Sequence, residues 1–350
     1  MKNNILLLFS TLIILYFVGE IFIRIFFPQD LQRYWVVNEK KFGLSVNKKN
    51  YIHNLHKFRN HKAKYIFGKY HNRITLKKNL NNKDNILILG DSFTFGWLLN
   101  DKHTFIHKLQ QKKMNYNFIN VAVGAWGSSQ YTLFTELYCK KIKPKKIIVF
   151  MNTDDMYRGY NSGFYKIEKN KLLVKKIKYV DMTKDSKLDR TIPFYKFMKS
   201  NSHLFMFTRN LVYNLRNEPF YNPWSREEYW PRPIAKFDHK YGKKIKKFNE
   251  LIFLRLKSVS DECGAELNIF FNNWVSPEVM GDHNPNKQFL LDRKDFFMKN
   301  NINFFENPSL MADLYKDPMK YIIDIDFHPN EKGADLLYKS FLKDINKILK

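Results

Sequence analysis

The sequence contains few cysteines, since Cys139 and Cys263 are the only two in 350 residues. They lie far apart and lack the spacing of zinc ligands, which excludes a cysteine-based metal site and a disulfide framework. We expect two buried thiols, with a single disulfide as the alternative in an oxidising compartment.

Acidic residues are also scarce, because 33 Asp and Glu stand against 60 Lys and Arg and give a formal net charge of +27. Such a charge suits phospholipid headgroups, acidic polysaccharide or nucleic acid. The chain is rich in Lys, Asn, Ile and Phe together, so a solvated basic surface is our first interpretation. No nucleic-acid-binding motif accompanies the charge, and we expect no nucleic-acid partner. With 44% hydrophobic residues the chain can bury a large core, which excludes a disordered protein.

The amino terminus carries the longest apolar run, which covers residues 5–19 and continues to Phe27 before Pro28 ends it. About 20 apolar residues span a bilayer as a helix. Glu20 and Arg24 can pair on one helix face near an interface. A signal peptide is the alternative, but no small-residue cleavage motif follows the run. We therefore expect an uncleaved single-pass anchor, with the rest of the chain on the periplasmic or extracytoplasmic side.

The chain divides into three predicted parts. Residues 1–28 form the membrane anchor, and residues 29–82 form a basic, irregular juxtamembrane connector near lipid headgroups. Residues 83–350 form an α/β domain with an insertion at about 160–240. The connector contains four histidines whose spacing fits no structural zinc pattern, so we expect no metal there.

Apolar runs alternate with helical segments after residue 83. Such alternation predicts an α/β fold with a parallel sheet. The predicted strands cover residues 85–89, 118–123, 146–151, 267–272 and 302–306. The predicted helices cover residues 104–111, 129–141, 241–260 and 330–349, and residues 165–176 are predicted to form a β-hairpin.

The first chemical motif is GDSFTFG at residues 90–96. Ser92 directly follows a predicted strand, and the carboxyl edge of a parallel sheet is where ligands bind. Gly90 permits a tight turn, and the helix that follows presents backbone N–H groups to an oxyanion. The spacing is neither the G-x-S-x-G elbow nor a P-loop. The alternative is a helix cap, which an Asp-Ser pair often forms.

Two further strand ends carry candidate oxyanion donors. Gly124 follows the strand at 118–123, where its backbone N–H meets no steric obstruction. Asn152 follows the strand at 146–151 and offers a side-chain N–H. In each case an ordinary turn is the alternative.

The fourth motif is DIDFHPN at residues 324–330, directly before the last predicted helix. His328 is the predicted base that accepts the serine proton, and Asp326 is the predicted acid that orients it. Asp324 is the alternative acid. Asp282 and His283 form a competing pair that lacks a following terminal helix.

The order Ser92, Gly124, Asn152 and His328, each at a strand-to-loop junction, resembles the SGNH (GDSL-like) hydrolase superfamily. The resemblance implies a flavodoxin-like three-layer α/β/α sandwich and an acyl-enzyme on the serine. It also implies an oxyanion hole made of the Ser92 and Gly124 backbone N–H groups and the Asn152 side chain. An anchor before such a motif is similar to a membrane-anchored bacterial envelope subgroup, whose wider group includes esterases and O-acetyltransferases of cell-surface glycans.

Two positions depart from the family pattern. Many members place the acid three residues before the histidine, where this chain has Ile325. The third motif usually reads Asn-Asp, whereas Thr153 separates Asn152 from Asp154 here.

Three functions remain open on the sequence. The first is an esterase that cleaves O-acyl esters of an envelope glycan, a lipid or a small ester. The second is an O-acyltransferase with the same serine, for which the aromatic residues 221–233 would form an acceptor cleft. The third is a non-catalytic glycan-binding or assembly protein. None of the three requires a metal or an organic cofactor.

Overall fold

The computed structural model describes residues 2–31, 35–58, 61–76, 83–152, 154–169, 171–175, 188, 191–216, 239–272, 274, 287–306, 312–323 and 326–349. The helices are α1 (Lys2–Phe26), α2 (Ser92–Phe95), α3 (Phe105–Lys112), α4 (Ser128–Ile142), α5 (Asp155–Asn161), α6 (Tyr195–Asn201), α7 (His203–Arg216), α8 (His239–Glu262), α9 (Lys287–Lys299), α10 (Ala312–Lys316) and α11 (Glu331–Ile348). The strands are β1 (Val36–Asn38), β2 (Ser45–Asn47), β3 (Ile52–Phe58), β4 (His61–Ile66), β5 (Asp84–Gly90), β6 (Tyr116–Asn120), β7 (Lys146–Met151), β8 (Tyr165–Glu168), β9 (Lys171–Val174), β10 (Glu266–Phe271), β11 (Asn303–Glu306), β12 (Ile322–Ile323) and β13 (Asp326–Pro329).

The central sheet has five parallel strands in the order β6-β5-β7-β10-β11. Residues 86–89 of β5 are all apolar and fully buried, as expected for a strand covered on both faces. In chain order the strands run 2-1-3-4-5, which is the flavodoxin-like arrangement. The predicted α/β fold with a parallel sheet is confirmed.

Helices cover both faces of the sheet. Leu87 and Leu89 point into a core cluster with residues of α4 and α8, whereas Ile86 and Ile88 point into a cluster with residues of α3 and α11. This alternation follows from the two-residue period of a strand. The result is the three-layer α/β/α sandwich that the resemblance implied.

The segment expected to be an irregular connector is instead built of strands. β1 pairs with β2 and β3 pairs with β4, both antiparallel. Leu44 and Tyr65 are fully buried. The expectation was wrong because the buried residues alternate with exposed lysines: in β4, Ala63 points inward and Lys62 outward, a two-residue period typical of a half-buried strand. We call residues 35–58 and 61–76 the cover segment.

Arg73 fastens the cover segment to the loop after Ser92. Its side chain is 1% exposed. The guanidinium donates hydrogen bonds to the carbonyl oxygens of Phe95 (2.7 Å), Gly96 (2.8 Å) and Leu99 (2.6 Å) and pairs with Asp101 at 2.9 Å. The cover segment is therefore an integral part of the folded domain.

The two cysteines are joined as a disulfide, not left as two buried thiols. Cys139 lies on α4, and Cys263 follows α8 directly. These helices pack against each other on one face of the sheet, which brings the two Cα atoms to 6.2 Å, within the range of a disulfide.

The predicted N-terminal apolar helix is present as α1. Residues Asn4–Phe26 are long and apolar enough to cross a membrane. The expected pair within it forms, since Arg24 Nη2 lies 2.9 Å from Glu20 Oε1. The insertion contributes the β8–β9 hairpin and helices α6 and α7, while residues 221–233 and the Asp282–His283 pair lie outside the described residues.

Candidate active site

Ser92 begins α2 immediately after β5, at the carboxyl end of the sheet. The preceding Asp91 caps the helix, because its Oδ1 accepts a hydrogen bond from Phe93 N at 3.0 Å. Gly90 makes the turn tight enough that a Cβ there would overlap the Thr94 side chain. Ser92 thus lies beside the position where the strand order reverses between β5 and β7, the usual ligand site of such sheets.

His328 approaches Ser92 from the other end of the chain. It lies on β13, and the next helix, α11, is capped by Asn330, whose Oδ1 accepts from Gly333 N at 3.0 Å. His328 Nε2 is 2.6 Å from Ser92 Oγ. The imidazole is held next to the rings of Phe93 (5.0 Å between centroids) and Trp97 (5.9 Å). This geometry permits direct proton transfer between the hydroxyl and the imidazole.

The two acid candidates precede His328. Asp326 begins β13 and pairs across the ladder with Ile323 of β12. The position of its carboxylate and the whole of Asp324 lie outside the described part of the structure. The choice of Asp326 as the orienting acid therefore stays a prediction.

Gly124 lies beside Ser92. Beyond β6 the chain continues along β5, since Val121 N donates to the Ile88 carbonyl at 3.0 Å and Val123 N donates to the Gly90 carbonyl at 3.4 Å. A Cβ placed on Gly124 would lie 3.9 Å from Ser92 Cβ. Gly124 is therefore a close neighbour of the nucleophile.

Asn152 also lies at this edge, directly after β7, and is 8% exposed. Its Nδ2 donates a hydrogen bond to Asp91 Oδ1 at 2.9 Å. A primary amide has two N–H donors, and the bond to Asp91 uses one of them. Asp91 therefore fixes the orientation of the amide next to the nucleophile.

The sequence reasoning missed an ion-pair network that joins Asp91, the residue before Ser92, to Arg158 and Asp155. Arg158 Nη1 lies 2.8 Å from Asp91 Oδ2 and 3.2 Å from Asp155 Oδ1. Asp155 also accepts hydrogen bonds from the Tyr131 hydroxyl at 2.7 Å and from Asn152 N at 2.7 Å. The i, i+3 spacing of Asp155 and Arg158 was the available signal.

Burial raises the pKa values of two members of this network, Asp155 and Tyr131. Burial, and then the nearby Asp91 carboxylate, raise the pKa of Asp155 well above its usual range, while Arg158 opposes the shift. Burial also raises the pKa of Tyr131. Arg158 contacts both buried carboxyl groups, and its pair with Asp91 helps to hold the Asp91 side chain in place.

A cavity of about 590 Å³ opens onto Ser92 and His328. Its walls are mainly aromatic and aliphatic, with a few polar groups, as is usual for small-molecule sites. Three lining residues, Trp35, Val36 and Ser45, come from the cover segment, whose role the sequence reasoning missed. The other lining residues are Phe95, Trp97, Val123, Gly124, Ala125, Trp126, Gln130, Arg158 and Phe164.

His56 of the cover segment packs against the tryptophans of this cavity wall. His56 lies 4.9 Å from Trp35 and 4.5 Å from Trp97, measured between ring centroids. Its Nδ1 is 2.7 Å from the Tyr65 hydroxyl. Burial, followed by repulsion from His53 and Arg73, lowers the pKa of His56 to about 3, so the ring is neutral at physiological pH.

No protein-family model and no curated protein matches this sequence. Among solved structures, TesA aligns over 76% of this chain and 100% of its own, at 9% identity and a TM-score of 0.43. The psychrotrophic esterase EstA from Pseudoalteromonas sp. aligns over 75% of this chain and 100% of its own, at 14% identity and a TM-score of 0.41. A lipolytic protein of the G-D-S-L family from Veillonella parvula aligns over 74% of this chain and 96% of its own, at 11% identity and a TM-score of 0.41.

Proposed function

We propose that this chain is a membrane-anchored serine esterase that hydrolyses O-acyl esters through an acyl-enzyme on Ser92. The observation that carries the proposal is the 2.6 Å contact between Ser92 Oγ and His328 Nε2, in the wall of a largely apolar cavity. A serine hydroxyl is a weak nucleophile until a base accepts its proton, and histidine suits that task near neutral pH.

The reaction proceeds in two halves. First, His328 Nε2 accepts the Ser92 hydroxyl proton while Oγ bonds to the ester carbonyl carbon. The bond to the alcohol oxygen then breaks, and the leaving alcohol takes the proton from His328. In the second half, water gives a proton to His328 and attacks the acyl carbon, and the departing Ser92 Oγ recovers that proton. The Asp326 carboxylate, with Asp324 as the alternative, orients the imidazole.

Three donors stabilise the oxyanion in this proposal. They are the backbone N–H groups of Ser92 and Gly124 and the Asn152 amide N–H that is not used by Asp91. Donors fixed before the reaction lower the barrier because they need no reorganisation as charge develops. The hydrogen bond from Asn152 to Asp91 supplies that rigidity. No metal or organic cofactor is needed for these steps.

The substrate we propose is an O-acylated glycan or lipid of the cell envelope. Trp35, Trp97 and Trp126 give the cavity flat aromatic walls, against which acyl chains or sugar faces pack favourably. Transfer of the acyl group to a sugar hydroxyl instead of water uses the same residues, and a non-catalytic glycan-binding role uses the same cavity.

The placement we propose is a single-pass anchor at residues 1–28 with the catalytic domain, residues 83–350, on the periplasmic or extracytoplasmic side. The apolar helix α1 supports the anchor. The Cys139–Cys263 disulfide supports an oxidising compartment. We assign the cover segment, which lies within the expected connector at residues 29–82, to the catalytic unit.

The test is hydrolysis of p-nitrophenyl acetate by the full chain in detergent, with and without a glycan acceptor. We expect nitrophenol release that is lost in Ser92→Ala and kept in the matched control Ser258→Ala, a serine on α8 that bonds Glu262. If acetylated glycan is formed, the reaction is acyl transfer to the glycan and not hydrolysis. Equal release from the chain and from Ser92→Ala would contradict the proposed nucleophile.

A further inference from the structure

Helices α6 and α7 of the insertion pack along α1. The contacts involve Tyr16, Gly19 and Glu20 of α1, which share one helix face, and Phe27, which directly follows α1. The Tyr16 hydroxyl donates to Ser202 Oγ at 2.8 Å, and the rings of Phe27 and Phe207 lie 5.9 Å apart. The other residues of α1 are largely exposed.

Glu20 joins the two elements by polar contacts. Its carboxylate accepts hydrogen bonds from Ser202 Oγ (2.8 Å), His203 N (3.0 Å) and Leu204 N (2.9 Å). It therefore caps the amino terminus of α7, where a carboxylate is favourable. Glu20, which interrupts the apolar run of α1, is thus paired with the amino terminus of α7 in the insertion.

Several contacts join α6 and α7 to α1. Ser202 lies near Tyr16, Phe207 lies near Phe27, and Asn210 Nδ2 donates to Gln29 Oε1 at 3.2 Å. His203 at the start of α7 also reaches Gln29, whose N–H donates to His203 Nδ1 at 2.8 Å. On α6, the Asn201 carbonyl accepts a hydrogen bond from Arg24 Nη2 at 3.1 Å. Ten helical residues separate Tyr16 from Phe26, which is about 15 Å along the axis. A bilayer that holds α1 must therefore also meet α6 and α7.

The outer surface of this pair suits a membrane interface. Phe194 is 81% exposed, Phe197 62% and Leu211 48%. Residues 191–216 contain no Asp or Glu, whereas Lys196, Lys199 and further basic residues lie among the apolar ones. An apolar face with basic residues and no acidic ones is typical of helices that lie in the headgroup region of anionic bilayers.

We propose that α6 and α7, with the turn at Phe194, are a second membrane-contacting element. They lie against α1 in the headgroup and upper acyl region of the leaflet nearest the catalytic domain. Phe194 and Phe197 enter the acyl region, and the long side chains of Lys196 and Lys199 reach the anionic headgroups. This inference depends on the proposed membrane insertion of α1 and not on the esterase chemistry.

The proposal is tested with nitroxide labels on the full chain in vesicles of phosphatidylcholine and phosphatidylglycerol. Single cysteines are introduced as Phe197→Cys and Leu211→Cys, with Leu12→Cys on α1 as the lipid reference and Ile167→Cys on β8 as the aqueous reference. All four native side chains are exposed, so the fold tolerates the labels, and circular dichroism checks this. Accessibility to oxygen and to a water-soluble nickel complex is then measured.

We expect Phe197→Cys to show an oxygen-to-nickel ratio near that of Leu12→Cys, and Leu211→Cys a ratio between the two references. Aqueous ratios at both Phe197→Cys and Leu211→Cys, with a lipid-like ratio at Leu12→Cys, overturn this inference and leave the anchor intact. An aqueous ratio at Leu12→Cys overturns both the membrane insertion of α1 and the membrane contact of α6 and α7. Low access of both reagents at Phe197→Cys indicates a covering protein and also overturns the proposal.

Discussion

The central sheet and the cover segment are stabilised in different ways. Residues 86–89 of β5 are buried purely by apolar contacts on both faces. The cover segment instead buries polar groups such as Arg73 and His56 beside aromatic rings. The sheet positions Ser92, and the cover segment forms one wall of the cavity beside it. The central strand is thus stabilised by apolar packing, whereas polar contacts of Arg73 and His56 contribute to the wall of the cavity.

Among the variants that test this difference, Arg73→Met is expected to have the largest effect, a loss of folding stability. The change removes one donor from each of three carbonyl oxygens, of Phe95, Gly96 and Leu99, and the charged partner of Asp101. Breaking such a buried pair costs about 3–5 kcal/mol, comparable to about 2–5 kcal/mol for truncating a core residue such as Ile148 to alanine. Urea unfolding of the full chain in detergent measures the free energy of unfolding of both variants.

The control for Arg73→Met is Arg73→Lys, which keeps the charge but loses the forked donors and should also destabilise. We expect one cooperative transition in each variant, because the cover segment and the sheet fold together. A separate early transition in Arg73→Met, with the main one unchanged, would show that the cover segment is an independent unit.

A smaller effect, on kcat, is expected from Asn152→Ala at the edge of the sheet. Removing one oxyanion donor lowers kcat by about 10²–10³-fold, and KM should change little because the donor acts on the transition state. Steady-state kinetics with p-nitrophenyl acetate measures both. The control is Asn303→Ala, because Asn303 is an exposed residue at the start of β11. This variant should retain the parent kcat. Asn249 is not used because its side chain bonds Ser128 in the core. An unchanged kcat in Asn152→Ala would remove Asn152 from the oxyanion hole.

The smallest effect, counted over one pH unit, is a pH dependence of stability from His56. Its folded pKa is lowered from 6.5 to about 3, so between these values the unfolded chain binds the proton and the folded chain does not. Stability is therefore lost as the pH falls below 6.5, by up to about 1.4 kcal/mol per pH unit. Burial lowers the pKa of His71 too, which adds in the same direction.

The measurement is the free energy of unfolding of the full chain at pH 7, 5 and 4, for the parent and for His56→Gln. The glutamine variant carries no titrating group at this position, so its slope should be shallower. Identical slopes would mean that His56 is accessible to protons in the folded state.

The sequence predicted the sheet well because its strands are continuous apolar runs. The strand predicted at residues 146–151 has the same bounds as β7. The cover segment was missed because its buried residues alternate with lysines, and a highly charged composition obscured that period. Contacts such as Arg158 with Asp91, 67 residues apart, depend on tertiary structure and have no local signal.

The candidate site was predictable in part. Ser92, Gly124 and Asn152 could be placed at one sheet edge because each follows a strand of a parallel sheet. His328 was predicted from the DIDFHPN motif before the last helix, and the order of the motifs along the chain, which resembles that of SGNH hydrolases, supported its pairing with Ser92. The bond of Asn152 to Asp91 and the aromatic wall around Trp35 could not be predicted, since both depend on how loops pack across that edge.

The most direct test of the account is covalent labelling of the full chain with a fluorophosphonate, followed by mass spectrometry of the labelled peptide. A fluorophosphonate reacts with a serine whose hydroxyl is activated by a base. We predict one adduct on Ser92, none in Ser92→Ala, and much slower labelling in His328→Gln with the fold unchanged. Labelling of Ser92→Ala at the parent rate, or no labelling of the parent chain, would contradict the activation of Ser92 by His328.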